Sequence, residues 1–194
     1  MSKGRLEAFS DGVIAILITI MVLELRVPHR VDPEALRELV PVFLAYVLSF
    51  VYLGIYWTNH HHMLQLTRRV SGRVLWANLH LLFWLSLVPF VTGWMGENGN
   101  APLPTACYGL VLMLAGIAYL ILQRSIIAAE GEGSKLAAAI GRDAKGKLSA
   151  VLYAAAIPLS FVHVLLADAI YVGVALLWLV PDPRLERSMQ HEGA

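Results

Sequence analysis

Arg5-Leu6-Glu7-Ala8-Phe9-Ser10-Asp11-Gly12-Val13-Ile14-Ala15-Ile16-Leu17-Ile18-Thr19-Ile20-Met21-Val22-Leu23-Glu24-Leu25 is the stretch from which the fold is read. Between Val13 and Leu23, only Thr19 has a hydrogen-bonding side chain. As a helix, residues 6–25 span about 30 Å, the thickness of the hydrocarbon core of a bilayer. Asp11 lies inside that span. An ionisable group at that depth is costly unless it faces protein or water and has a partner. This helix is therefore expected to be more than a lipid-facing anchor.

Working outward, the composition agrees. The 194 residues are 58% hydrophobic and only 15% charged, with a mean hydropathy of +0.64. A soluble domain carries about 25% charged residues. The net charge of +1 gives no reason to expect a nucleic-acid partner. Cys107, the single cysteine, can form no internal disulfide. Lys3 and Arg5 imitate the charged start of a signal peptide, but the apolar run is too long and no small-x-small cleavage site follows. The segment is expected to be retained.

Five further apolar segments follow, so the expectation is an all-α polytopic membrane protein. It is read as a single domain over residues 1–194, with six spans at 6–25, 39–57, 74–94, 103–122, 148–166 and 169–180. Pro89 and Pro158 are expected kink points. A short helix is expected near Leu136–Ile140, inside the polar connection Glu130–Lys147. Lys3, Arg5, Arg68, Arg69, Arg73, Arg124, Lys135, Arg142, Lys145, Lys147, Arg184 and Arg187 all fall on one side of this layout. Only Arg26, Arg30 and Arg37 fall on the other. The positive-inside rule then places both termini in the cytoplasm of a multi-pass protein of the cell membrane.

Ile16, Thr19, Ile20 and Leu23 stand at i, i+3, i+4 and i+7 and form one stripe of the first helix. Periodicity alone leaves two readings. The stripe is either a packing face, or the wall of a pore between several copies of the chain, where apolar rings gate by dewetting. Six short helices with few interior polar groups leave little room for a water path within one chain. Arg5 and Asp11 are six residues apart and lie on different faces, so Asp11 should meet donors from other helices. Candidates are Trp57, His60, His61 and His62 at the end of the second helix, and Asn78 and His80 at the start of the third. The alternative for Asp11 is a charge that complements the helix dipole.

Consecutive helical residues point about 100° apart, so His60-His61-His62 cannot all bind one ion. No metal site is expected, and His163 is read as an interhelical hydrogen bonder. Glu24 is either an ordinary interfacial carboxylate or part of an anionic mouth that concentrates cations. Nothing resembles a catalytic triad, a phosphate loop, a nucleotide fingerprint or a carbonyl filter, so neither an enzyme nor a cofactor is expected.

Arg5-x-x-x-Phe9-Ser10-Asp11 resembles the signature of the transmembrane protein 175 family, whose animal members are endosomal and lysosomal potassium channels. Tyr56-Trp57-x-x-His60-His61 is similar to the family as well. So is Asn78-Leu79-x-x-Leu82-Phe83, followed by Leu87-x-Pro89-Phe90. The resemblance implies a weakly to moderately selective potassium channel. It would be a symmetric homotetramer of six-helix subunits with the first helix lining the pore. It implies a constriction at Ile16 with further rings at Ile20 and Leu23, and a link between Thr19 and potassium preference. Arg5, Phe9, Ser10, Asp11, Trp57, His60, His61 and Asn78 would form the signature network, with Arg5, Ser10 and Asp11 bracing the pore helix. Potassium ions, sister subunits and the bilayer are the expected partners. The alternative from another class is a small proton-coupled secondary transporter that uses Asp11. Against it, the sequence has no clear internal repeat and no pair of broken helices.

Overall fold

The computed structural model describes residues 2–99, 101–131, 134–140 and 143–179, without the side chains of 139 and 140. Arg142, Arg184, Arg187 and the end of the sixth apolar segment lie outside the described residues. The described chain is helical: α1 (Lys3–Leu23), α2 (Pro33–Gln65), α3 (Gly72–Ser86), α4 (Val88–Glu97), α5 (Pro102–Glu130), α6 (Lys135–Ile140), α7 (Ala144–Leu159) and α8 (Val164–Leu179). Four stretches are long and apolar enough to cross a membrane: α1, α2, α3 with α4, and α5. The apolar helix α8 is shorter, at 16 residues or about 24 Å.

Local chemistry sets the boundaries. Pro33 opens α2, and the Asp32 carboxylate caps it by accepting from the Ala35 amide at 3.0 Å. The helix then runs 33 residues, about 50 Å, through Pro41 and well past both ends of the expected 39–57. Hydropathy marks the membrane-embedded part of such a helix and misses polar turns that extend it. The third segment is broken at Leu87, and Pro89 opens α4. Pro89 has no N–H to give to the Leu85 carbonyl and its ring crowds that turn. Gly131, at φ +73°, ends α5 with a conformation that glycine adopts readily.

The expected boundary between the fifth and sixth segments moves upstream. Instead of 148–166 and 169–180, the helices are Ala144–Leu159 and Val164–Leu179. Ala167 and Asp168, expected to be the connection, lie inside α8. The turn forms after Pro158, where the Ser160 hydroxyl bonds back to the Ala156 carbonyl at 2.9 Å and the His163 amide to Leu159 at 2.8 Å. The apolar run Phe161–Leu166 hides this turn from a hydropathy reading.

Two contacts define the ends of the bundle. The Lys3 ammonium donates to the Gln65 carbonyl at 2.9 Å, and the Arg68 amide donates to Glu130 at 2.7 Å. The starts of α1 and α3 therefore lie with the ends of α2 and α5. At the opposite end, Arg26 pairs with Glu97 at 2.8 Å, joining the exits of α1 and α4.

The core sits around α5. Tyr52, Tyr108, Tyr153 and Tyr171 pack with ring centroids 5.6–6.5 Å apart. Their hydroxyls need partners in an apolar interior. Tyr52 donates to the Tyr171 carbonyl at 2.6 Å, and Tyr171 donates to the Thr105 carbonyl at 3.2 Å. Ser49 bonds to Thr92 at 2.7 Å and to Tyr108 at 3.0 Å. Gly109 makes this packing possible, because a Cβ there would collide with the Tyr171 hydroxyl.

Candidate functional site: the two faces of the first helix

Helix α1 presents two distinct faces. Leu6, Ser10, Ile14, Leu17 and Met21 recur at helical spacing and are buried against α2, α3 and α4. The opposite face carries Phe9, Ile16, Thr19, Ile20 and Leu23, all exposed in the single chain. Ile16 is 59% exposed and Leu23 is 77% exposed. A bulky apolar stripe thus lies opposite the packing face. Thr19 sits within it and donates its hydroxyl to the Ala15 carbonyl at 2.9 Å, which leaves the oxygen lone pairs available as acceptors.

The buried face is secured by a chain of hydrogen bonds. His60 Nε2 lies 2.7 Å from Asn78 Oδ1. The Asn78 amide donates to Ser10 Oγ at 3.0 Å, and Ser10 donates to the Leu6 carbonyl at 2.9 Å. Since Asn78 Oδ1 can only accept, His60 must carry its proton on Nε2 in this chain. All three side chains are buried. The chain ties α1, α2 and α3 together through groups that would be costly if left unpaired. Beside it, the Trp57 indole donates to Asp11 Oδ1 at 3.0 Å, a second link between α1 and α2.

The other candidates fall elsewhere. His61 stacks on Trp57 with centroids 6.1 Å apart and bonds to Gln65 at 2.9 Å. His80 accepts from the Trp84 indole at 2.9 Å. Arg5 is exposed and makes no ion pair or hydrogen bond among the described residues. At that end of α1 it is Lys3 that reaches α2, and it also lies 3.8 Å from Glu7. Among the described residues, no three His, Cys, Asp or Glu side chains converge.

Two details escaped the sequence reading: the packing of Glu24 against α4 and an exposed stripe on α2. Glu24 caps α1 beside the α4 backbone, where a Cβ on Gly93 would come within 3.3 Å of its carboxylate. Partial burial, and then Glu97, push that carboxyl above its ordinary range. The second is an exposed stripe on α2 formed by Leu36, Val40, Phe43, Val47, Phe50 and Trp57. Its steps of four, three, four, three and seven residues are legible as a helical face.

Secondary structure, two-faced α1 and buried polar links define a polytopic helical membrane protein, and comparison with known proteins gives the class. A family model described as "Endosomal/lysosomal potassium channel TMEM175" matches residues 5–89. A potassium channel of a Chryseobacterium species is 53% identical over 190 residues, covering 98% of this chain and 99% of its own. A potassium channel of Streptomyces collinus is 36% identical over 125 residues, covering 60% of this chain and 61% of its own. The crystal structure of a lysosomal potassium-selective channel TMEM175 homolog from Chamaesiphon minutus superposes with a TM-score of 0.75 at 30% identity. It covers 92% of this chain and 96% of that one. The class is that of ion channels rather than enzymes. Within it, the chain belongs to the TMEM175 family.

Proposed function

We propose that the chain is the subunit of a potassium channel of the cell membrane, a homotetramer of six-span subunits with both termini cytoplasmic, in which four copies of α1 surround the ion path. The observation that carries this reading is the asymmetry of α1. One face is fixed by Ser10 and Asp11 to α2 and α3, while Phe9, Ile16, Ile20 and Leu23 face away from the chain.

Ile16, Ile20 and Leu23 then form stacked rings, about 6 Å and 4.5 Å apart along the axis. Narrow apolar rings exclude water and hence ions. Conduction requires the rings to widen or turn so that Thr19 oxygens replace part of the lost hydration. An apolar ring coordinates nothing, so discrimination follows the cost of dehydration. Potassium gives up water more readily than sodium, which makes the selectivity modest. No cofactor takes part, since the permeant ion is the transported species.

The test is ion flux in liposomes. Ile16→Asn is expected to raise potassium flux by at least about tenfold, a barrier change of about 1.4 kcal/mol, and to erode selectivity over sodium. Unchanged flux and selectivity would refute the reading. The same assay separates a proton-coupled transporter, which would give saturable, coupled uptake abolished by Asp11→Asn.

A further inference from the structure

The loop between α2 and α3 and the last turns of α5 form an open groove of about 540 Å³ that the pore reading leaves unused. Arg69, Ser71 and Arg73 line one wall, and Ser125, Ala128 and Ala129 line the other. Arg69 and Arg73, both exposed, place two positive charges on one wall, which favours an anion between them. Among the described residues none lies there. Among the described residues, neither Arg69 nor Arg73 makes an ion pair or hydrogen bond. Glu130, the carboxylate next to Ala129, has both oxygens engaged, with the Arg68 amide at 2.7 Å and the Ser134 hydroxyl at 2.8 Å.

Further donors stand on the same segment. The Ser71 hydroxyl accepts from the Val74 amide at 3.3 Å, so its own proton remains to be given. The Gly72 and Arg73 amides open α3 and have no intrahelical acceptor. The alanines leave the opposite wall open enough to admit a phosphate.

Beyond the groove, α3 indicates which phosphate. Trp76, Leu79 and Phe83 continue from Arg73 along one exposed apolar strip of the helix. A free phosphate has no use for that strip, whereas acyl chains would cover it. We propose that this groove binds the phosphodiester headgroup of an anionic phospholipid, held between Arg69 and Arg73, with its acyl chains along Trp76, Leu79 and Phe83. Basic pockets between membrane helices are a known setting for such headgroups. The site is independent of α1, so it stands or falls separately from the pore.

The test uses the full chain in nanodiscs of phosphatidylcholine, with or without phosphatidylglycerol, and inorganic phosphate as a separate probe. Native mass spectrometry counts retained lipid, and thermal unfolding reports occupancy. Wild-type protein is expected to retain phosphatidylglycerol through detergent washing and to unfold at higher temperature when it is present. Arg69→Gln and Arg73→Gln should each weaken retention about tenfold, the loss of one charge-assisted hydrogen bond. Ala128→Trp keeps both arginines and fills the groove; it should also release the lipid, and it decides the matter should the arginine variants fail to fold. Trp76→Ala should weaken the lipid effect alone. Equal retention by wild type, the arginine variants and Ala128→Trp would overturn the site. Equal protection by inorganic phosphate, with Trp76→Ala silent, would overturn the lipid in favour of a soluble phosphate.

Discussion

Helices α1 and α5 have the same mean hydropathy over their most apolar windows, yet 28% of that window is buried in α1 and 50% in α5. Composition therefore does not distinguish a helix that holds the subunit together from one that leaves a face for something else. What separates them is where polar groups sit. Helix α5 packs against α3, α4, α7 and α8, and its polar contacts run along its length, from the Thr105 carbonyl and Tyr108 to the Leu112 carbonyl and Tyr119. In α1 the polar side chains that reach other helices, Lys3, Ser10 and Asp11, stand within its first nine residues. Beyond Asp11 its remaining side-chain hydrogen bond, from Thr19, is internal. A helix fixed at one end and along one face can turn or shift. A helix gripped on several sides cannot.

The contrast can be broken experimentally. The largest effect on stability is expected from Asn78→Ala, which strands His60 and removes the bond that ties Ser10 to α3. At about 1–3 kcal/mol for the stranded imidazole, thermal unfolding in detergent should shift downward and α1 should loosen. Next comes Gly109→Ala, where the new methyl must displace the Tyr171 ring, at about 1–3 kcal/mol. If α5 is the scaffold, this variant should lower stability while leaving ion selectivity in the surviving protein unchanged. Ile20→Ala on the exposed face should change subunit stability by less than about 0.5 kcal/mol and still raise flux through the proposed pore. A large loss of stability there would mean that the face is packed within the subunit.

The smallest effect concerns Glu24. Its carboxyl is raised by burial and by Glu97, so on acidification it takes up a proton before a fully exposed carboxylate does. A raised carboxyl favours the folded state only when protonated, so its contribution to stability becomes less favourable as pH rises through its range. If Glu24 belongs to an anionic mouth, neutralisation also removes a negative charge there. Potassium conductance in dilute salt should therefore fall as that side is acidified, starting above the ordinary carboxylate range. Glu24→Gln should show the lowered conductance without that step.

Much of the fold was legible because membrane burial imposes long apolar runs, and the four stretches long enough to cross were marked by that constraint. Element ends were less legible. Asp32 and Pro33 are a readable helix start, but they precede the apolar run, and the turn at Ser160 is concealed by apolar residues on both sides. At the site, Asp11 had to find a donor, but the sequence could not choose among Trp57, His60, His61, His62, Asn78 and His80. That choice depends on the mutual rotation of α1, α2 and α3. The rotation brings Trp57 to Asp11 and sends His60 to Asn78, while His80 turns to Trp84. Oligomeric state lies further off still, because an exposed apolar face reads the same whether lipid or a sister subunit covers it.

The length of α2 has a mechanical consequence. A rod of about 50 Å across a hydrocarbon layer of about 30 Å emerges into water at both ends. Glu34, Arg37 and Glu38 ride on one end and Trp57 and His60 near the other. One continuous helix therefore links the polar groups around Glu34 and Arg37 on one side to the Trp57–Asp11 contact near the other.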